Sequence, residues 1–111
     1  MTLNLTERQV TEQCIEWLRY KHWYCVRLQS GMMRGLTRGT YIKLGEKGLC
    51  DWCCFRNEQY FFLEMKATGK GLSEDQRAWF RFAEKNGILA AWSDGIGRLM
   101  CEYQRLFGGT A

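Results

Sequence analysis

The chain has 111 residues, of which 46% are hydrophobic and 14% aromatic, enough for one core and one domain spanning 1–111 and too much for extended disorder. No apolar run is long enough to span a bilayer, and the N-terminus lacks a basic segment followed by an apolar stretch, so no membrane partner, no secretory leader and a cytoplasmic, intracellular setting are expected. The formal net charge of +4 suits a polyanionic partner without requiring one.

Taken in chain order, Thr6-Glu7-Arg8-Gln9 has the form of a capping box, which predicts a helix starting at Glu7. Val10, Cys14, Trp17 and Leu18 recur at helical spacing and carry that helix to about Lys21. Tyr24 to Leu28 is short, apolar and partly β-branched, and reads as a strand. Residues 30–48 alternate Gly31, Gly35, Gly39, Gly45 and Gly48 with Arg34, Arg38, Lys43 and Lys47. They predict a long, mobile, basic loop with at most a short strand at Tyr41-Ile42-Lys43, and loops of that length in compact domains tend to be functional. Cys50 to Phe55 and Tyr60 to Lys66 read as two strands joined into a hairpin by Arg56-Asn57-Glu58-Gln59. A second capping box, Ser73-Glu74-Asp75-Gln76, opens a helix to about Lys85, with Trp79, Phe82 and Ala83 as its buried stripe and Asn86-Gly87 as its stop. Ile88 to Trp92 reads as a buried strand. Ile96, Leu99, Met100, Tyr103, Leu106 and Phe107 predict a closing helix, and Gly108 to Ala111 a loose tail. The predicted order is α-β-β-β-α-β-α.

Six cysteines are many for this length, and Cys50, Cys53 and Cys54 look superficially like a zinc or redox cluster. On a strand Cys50 and Cys53 would point to opposite faces, and the one histidine, His22, lies elsewhere in the sequence. Buried free thiols in a reducing compartment are the expectation.

The chemistry concentrates on the hairpin. Glu64 and Lys66 are two apart and share one strand face, while Leu63 and Met65 face the other. Asp51 starts the preceding strand, and hairpin pairing can set it beside Glu64. Two converging carboxylates repel unless a cation lies between them, and hard oxygen ligands suit Mg²⁺ or Mn²⁺. A lysine beside such an ion can orient water or steady charge on phosphorus. A cross-strand ion pair on an exposed face is the plainer reading of Glu64-Met65-Lys66 alone.

Gly48-Leu49-Cys50-Asp51, followed by Glu64-Met65-Lys66 and by Ser73 and Gln76 on a new helix, resembles the PD-(D/E)XK nuclease superfamily. More specifically it is similar to the small stand-alone VRR-NUC domains, including those found in phages. The similarity runs from Thr6 to about Asp94. Leu28-Gln29 replaces the asparagines that often follow Arg27, and Cys50 stands where a proline is common. The resemblance implies an α/β, restriction-endonuclease-like αβββαβ core with a mixed central sheet flanked by helices, plus a C-terminal helix. It implies Mg²⁺- or Mn²⁺-dependent hydrolysis of DNA phosphodiesters, structure-specific on branched DNA in the manner of a Holliday-junction resolvase, by a homodimer. By position, Asp51, Glu64 and the Met65 carbonyl would bind metal and Lys66 would be the catalytic lysine. Gln76 would stand beside the site, or simply cap its helix. Glu7 would extend the metal site through water, or act as a first-turn carboxylate favoured by the helix dipole. Glu12 and Glu16 are expected in solvent. Arg27, Arg34, Arg38, Lys43, Lys47 and Lys70 are expected to follow DNA phosphates. A flap or nicking nuclease and a non-catalytic DNA-binding module are the alternative functions.

Overall fold

The computed structural model describes residues 4–28, 31–34, 41–44 and 48–108. In chain order they form α1 (Glu7–Tyr20), β1 (Tyr24–Arg27), β2 (Gly31–Arg34), β3 (Tyr41–Leu44), β4 (Trp52–Arg56), β5 (Gln59–Met65), α2 (Glu74–Lys85), β6 (Ala90–Ser93) and α3 (Ile96–Phe107). The class is α/β. A mixed four-stranded sheet runs in the order β1-β4-β5-β6, antiparallel except for the β5–β6 pair.

Both capping boxes form. Thr6 Oγ1 accepts from the Gln9 N–H at 3.2 Å and Gln9 Oε1 accepts from the Thr6 N–H at 2.9 Å, so two donors that the first helical turn leaves unpaired are satisfied. Ser73 and Gln76 repeat the arrangement at the start of α2. A tight turn through Asn57, at φ +55°, joins β4 to β5, and Arg56 and Gln59 are already paired.

The alternation of β5 divides the molecule into two layers. Phe61, Leu63 and Met65 point into a core that they share with Val10, Cys14, Ile15 and Leu18 of α1 and Leu99 of α3. Burying each of those three side chains contributes roughly 1.5–3 kcal/mol. The opposite face of β5 meets α2, where Phe62 packs edge-on against Trp79 at 5.4 Å. Glu64 and Lys66 belong to this second face.

Several sequence expectations are corrected. The basic stretch 30–48 contains the antiparallel pair β2–β3, in register from Gly31↔Leu44 to Arg34↔Tyr41. Met32-Met33 and Tyr41-Ile42 are apolar enough to pair despite the glycines around them. Arg38 and Lys47 lie outside the described residues, as does the end of the chain from 109. On α2, Ala83 is buried and Trp79 half-buried, but Phe82 is 55% exposed. Phe80 turns inward instead, because the contact face follows the 79, 80, 83 spacing. The last strand starts at Ala90, two residues later than Ile88. The apolar stripe of α3 packs on its own subunit's core through Leu99, Tyr103, Leu106 and Phe107, leaving Met100 exposed. No helix among the described residues is long and apolar enough to cross a membrane.

Candidate active site

The β4–β5 register pairs Trp52 with Leu63. One step further along that ladder brings Asp51 opposite Glu64. The Asp51 peptide N–H donates to the Glu64 carboxylate, and the Asp51 carbonyl accepts from the Leu28 N–H at 2.6 Å. Asp51 is therefore fixed from both neighbouring strands just as β4 begins. On the other side, Glu64 is paired with Trp92 and Met65 with Ser93. The Lys66 N–H donates to the Ser93 carbonyl at 2.8 Å, which extends this support past the end of β5.

Glu64 is 3% exposed. Its Oε2 lies 3.8 Å from Lys66 Nζ, a loose ion pair. Its Oε1 is buried with no hydrogen-bond partner among the described residues. Burial raises the Glu64 pKa to about 7, and the negative charge of Asp51 adds to the rise. Lys66 and the Asp51 N–H oppose it, and Glu7 contributes a smaller increase. A buried carboxylate with an unsatisfied oxygen and a second carboxylate beside it is an arrangement that a cation relieves. Among the described residues no three His, Cys, Asp or Glu side chains gather into a metal-holding group. Two carboxylates, a main-chain carbonyl and water are nevertheless a suitable set for Mg²⁺, which keeps several of its waters. The residues present fit that ion.

The start of α1 is tied to the same place. The Leu5 N–H donates to Thr68 Oγ1 and the Thr68 N–H donates to the Leu5 carbonyl, both at 3.0 Å. That clasp, two residues beyond Lys66, leads into α1, whose Glu7 lines a cleft of about 310 Å³ together with Arg27, Asp51 and Met65 but without Glu64 or Lys66. Glu7 is exposed there. Arg8 and Glu12 line the cleft too, bridged to each other at 3.2 Å. Glu12, expected in solvent, is thus exposed but borders the site.

Gln76 is occupied by its helix cap, its Oε1 accepting from the Ser73 N–H at 2.9 Å. Its helix nonetheless begins close to the chain leading to Asp51. Gly48, at φ +83°, presses against the Asp75 backbone so closely that a Cβ there would overlap the Asp75 carbonyl. Lys70 is exposed on the turn after β5. Arg34 and Lys43 stand on β2 and β3, where only the backbone is described.

Cys50 precedes β4, so strand alternation does not govern it. It is buried near Glu64 and Asp51, and burial, with those two charges, pushes its thiol pKa well up. All six cysteines are free, and five are buried. Two neighbours of the site escape a reading of sequence alone, Trp92 beside Glu64 and the Leu5–Thr68 clasp. The strand character of Ala90-Ala91-Trp92 is visible, but its parallel register is not.

Compared with family models, curated proteins and solved structures, the chain matches none.

Proposed function

We propose that this chain is a divalent-metal-dependent endodeoxyribonuclease. The observation that carries the reading is the buried Glu64 carboxylate, with one oxygen unsatisfied, Asp51 across the ladder and Lys66 Nζ at 3.8 Å. The order α1-β1-β4-β5-α2-β6, with β2–β3 as an insertion, supports a restriction-endonuclease-like core.

Asp51 and Glu64 would hold Mg²⁺ or Mn²⁺, with the Met65 carbonyl as a third donor and Glu7 acting through water. The bound ion would polarise the phosphodiester and lower the pKa of water. Lys66, held on the same strand face, places its ammonium where it can orient the attacking water and offset charge growing on phosphorus. Arg27, exposed at the cleft, supplies a fork for a phosphate oxygen. Glu64 is buried and Lys66 largely so, which makes the charge interactions at Glu64 stronger than they would be in bulk water, while exposed Glu7 and Arg27 act in a more screened setting.

The finer reading is cleavage of branched DNA by a homodimer, as the VRR-NUC resemblance implies. Two cuts of matched polarity need two sites related by a two-fold axis. Cleavage of labelled DNA titrated with Mg²⁺ and then with chelator tests the activity. Cleavage that persists undiminished in excess chelator would end the metal-dependent reading.

A further inference from the structure

A second feature adjoins the site and takes no part in the chemistry above. Trp92, the β6 partner of Glu64, also lines a groove of about 560 Å³ between α2 and α3. Its indole is braced by the Arg98 guanidinium, 4.1 Å from the ring centroid. Phe80 of α2 lines the same groove and is half-buried. Arg77 and Arg81, also from α2, complete that wall. They are one helical turn apart and exposed, and among the described residues neither has an ion-pair partner. On the α3 wall Arg105 and Glu102 neutralise each other. Glu84 is the remaining charge.

We propose that this groove binds an unpaired nucleic-acid strand leading away from the candidate active site; that the strand is substrate rests on the nuclease reading. Two aromatic side chains beside unpaired arginines are the combination that single strands use, with bases on rings and phosphates on cations. Arg77 and Arg81 are separated along the helix by about 6 Å, a distance comparable to that between adjacent phosphates of an extended strand. The volume is that of a site for one drug-sized molecule, room for a nucleotide or two whose unpaired bases can reach the rings, as the paired bases of a duplex cannot. Trp92 pairs with Glu64 across the β5–β6 ladder, so the groove lies one strand away from the acidic centre. An acidic peptide would find the arginines but would have no use for the two aromatic rings.

The test is fluorescence anisotropy with labelled oligothymidylate, a blunt hairpin duplex and labelled polyglutamate, in chelator so that nothing is cut. The variants are Arg77→Gln/Arg81→Gln and Glu84→Gln, all at exposed positions, with folding checked by circular dichroism. The wild type is expected to bind oligothymidylate more tightly than either the hairpin duplex or polyglutamate. In the double variant the log–log salt slope should fall by about 1.4, at ~0.7 per phosphate contact, and affinity on the order of tenfold. Glu84→Gln should strengthen binding. No binding of oligothymidylate, an unchanged slope in the folded double variant, or equal binding of polyglutamate would overturn the proposal, the last reassigning the groove to acidic peptides. If the binding pattern holds but no metal supports cleavage, the nuclease reading fails and the groove stands. If cleavage occurs and the pattern is missing, the groove fails alone.

Discussion

Replacing Glu64 with glutamine should stabilise the metal-free protein at high pH and leave it indifferent to metal. The folded pKa of Glu64 is raised from 4.5 to about 7, chiefly by burial and then by Asp51. A raised carboxyl pKa means that the folded state holds the proton more tightly than the unfolded state does. The stabilising contribution of protonated Glu64 is therefore full below about 4.5 and is lost as pH rises through about 7. The interval corresponds to on the order of 3 kcal/mol at pH 8.5. The residue is nearly inaccessible, so solvent screening takes little away. Glutamine keeps the shape without the charge, though its buried amide retains a polar cost. In urea titrations with chelator, the stability difference between variant and wild type should grow in the variant's favour from pH 5 to pH 8.5. In melts at pH 8.5 the variant should gain roughly ten degrees. Adding millimolar Mg²⁺ should raise the wild-type melting temperature and leave the variant unmoved. A difference between the two proteins that is constant across this pH range would refute the reasoning, because Glu64 would then not be ionising at a cost in the folded state.

Lys66→Ala should retain Mn²⁺ binding, followed by electron paramagnetic resonance, while turnover falls on the order of a hundredfold or more. Near-normal turnover by the folded variant would remove Lys66 from the chemistry. Gly48→Ala should cost about 2 kcal/mol or more, since it forces a side chain into positive φ and against the Asp75 carbonyl. Chemical denaturation measures it, and a neutral result would mean that the approach of α2 to the chain before Asp51 is not tight.

What the sequence made legible was local. The two capping boxes gave the helix starts to the residue, because a box is a four-residue hydrogen-bonding unit complete in itself. The alternation in Phe61 to Lys66 assigned Leu63 and Met65 to the core and Glu64 and Lys66 to the other face, since a strand has period two. The short turn at Asn57 and Glu58 made the placing of Asp51 opposite Glu64 readable as well, because a tight hairpin turn sets register. What stayed hidden depends on segments distant in sequence. The β2–β3 pair was masked by the glycine-rich composition around it. Trp92 joins Glu64 through a parallel pairing between strands separated by a whole helix, whose register no local pattern sets. Phe82 falls outside the buried stripe because two adjacent aromatics, Trp79 and Phe80, take the helix contact face. The burial of Glu64 could not be read from Glu-x-Lys, since the same spacing serves an exposed ion pair equally well.

The most direct test of the central claim is cleavage by the purified chain of a labelled four-way junction, a flap, a duplex and a single strand, each with Mg²⁺, Mn²⁺, Ca²⁺ or chelator. Mg²⁺ and Mn²⁺ should support cutting, with the junction preferred, and Asp51→Ala should abolish it while the protein remains folded. Ca²⁺, larger and more loosely coordinated, should support binding without turnover. No cleavage of any substrate with any metal, or cleavage that survives both chelator and the loss of Asp51, would contradict the assignment of Asp51, Glu64 and Lys66 as a nuclease centre.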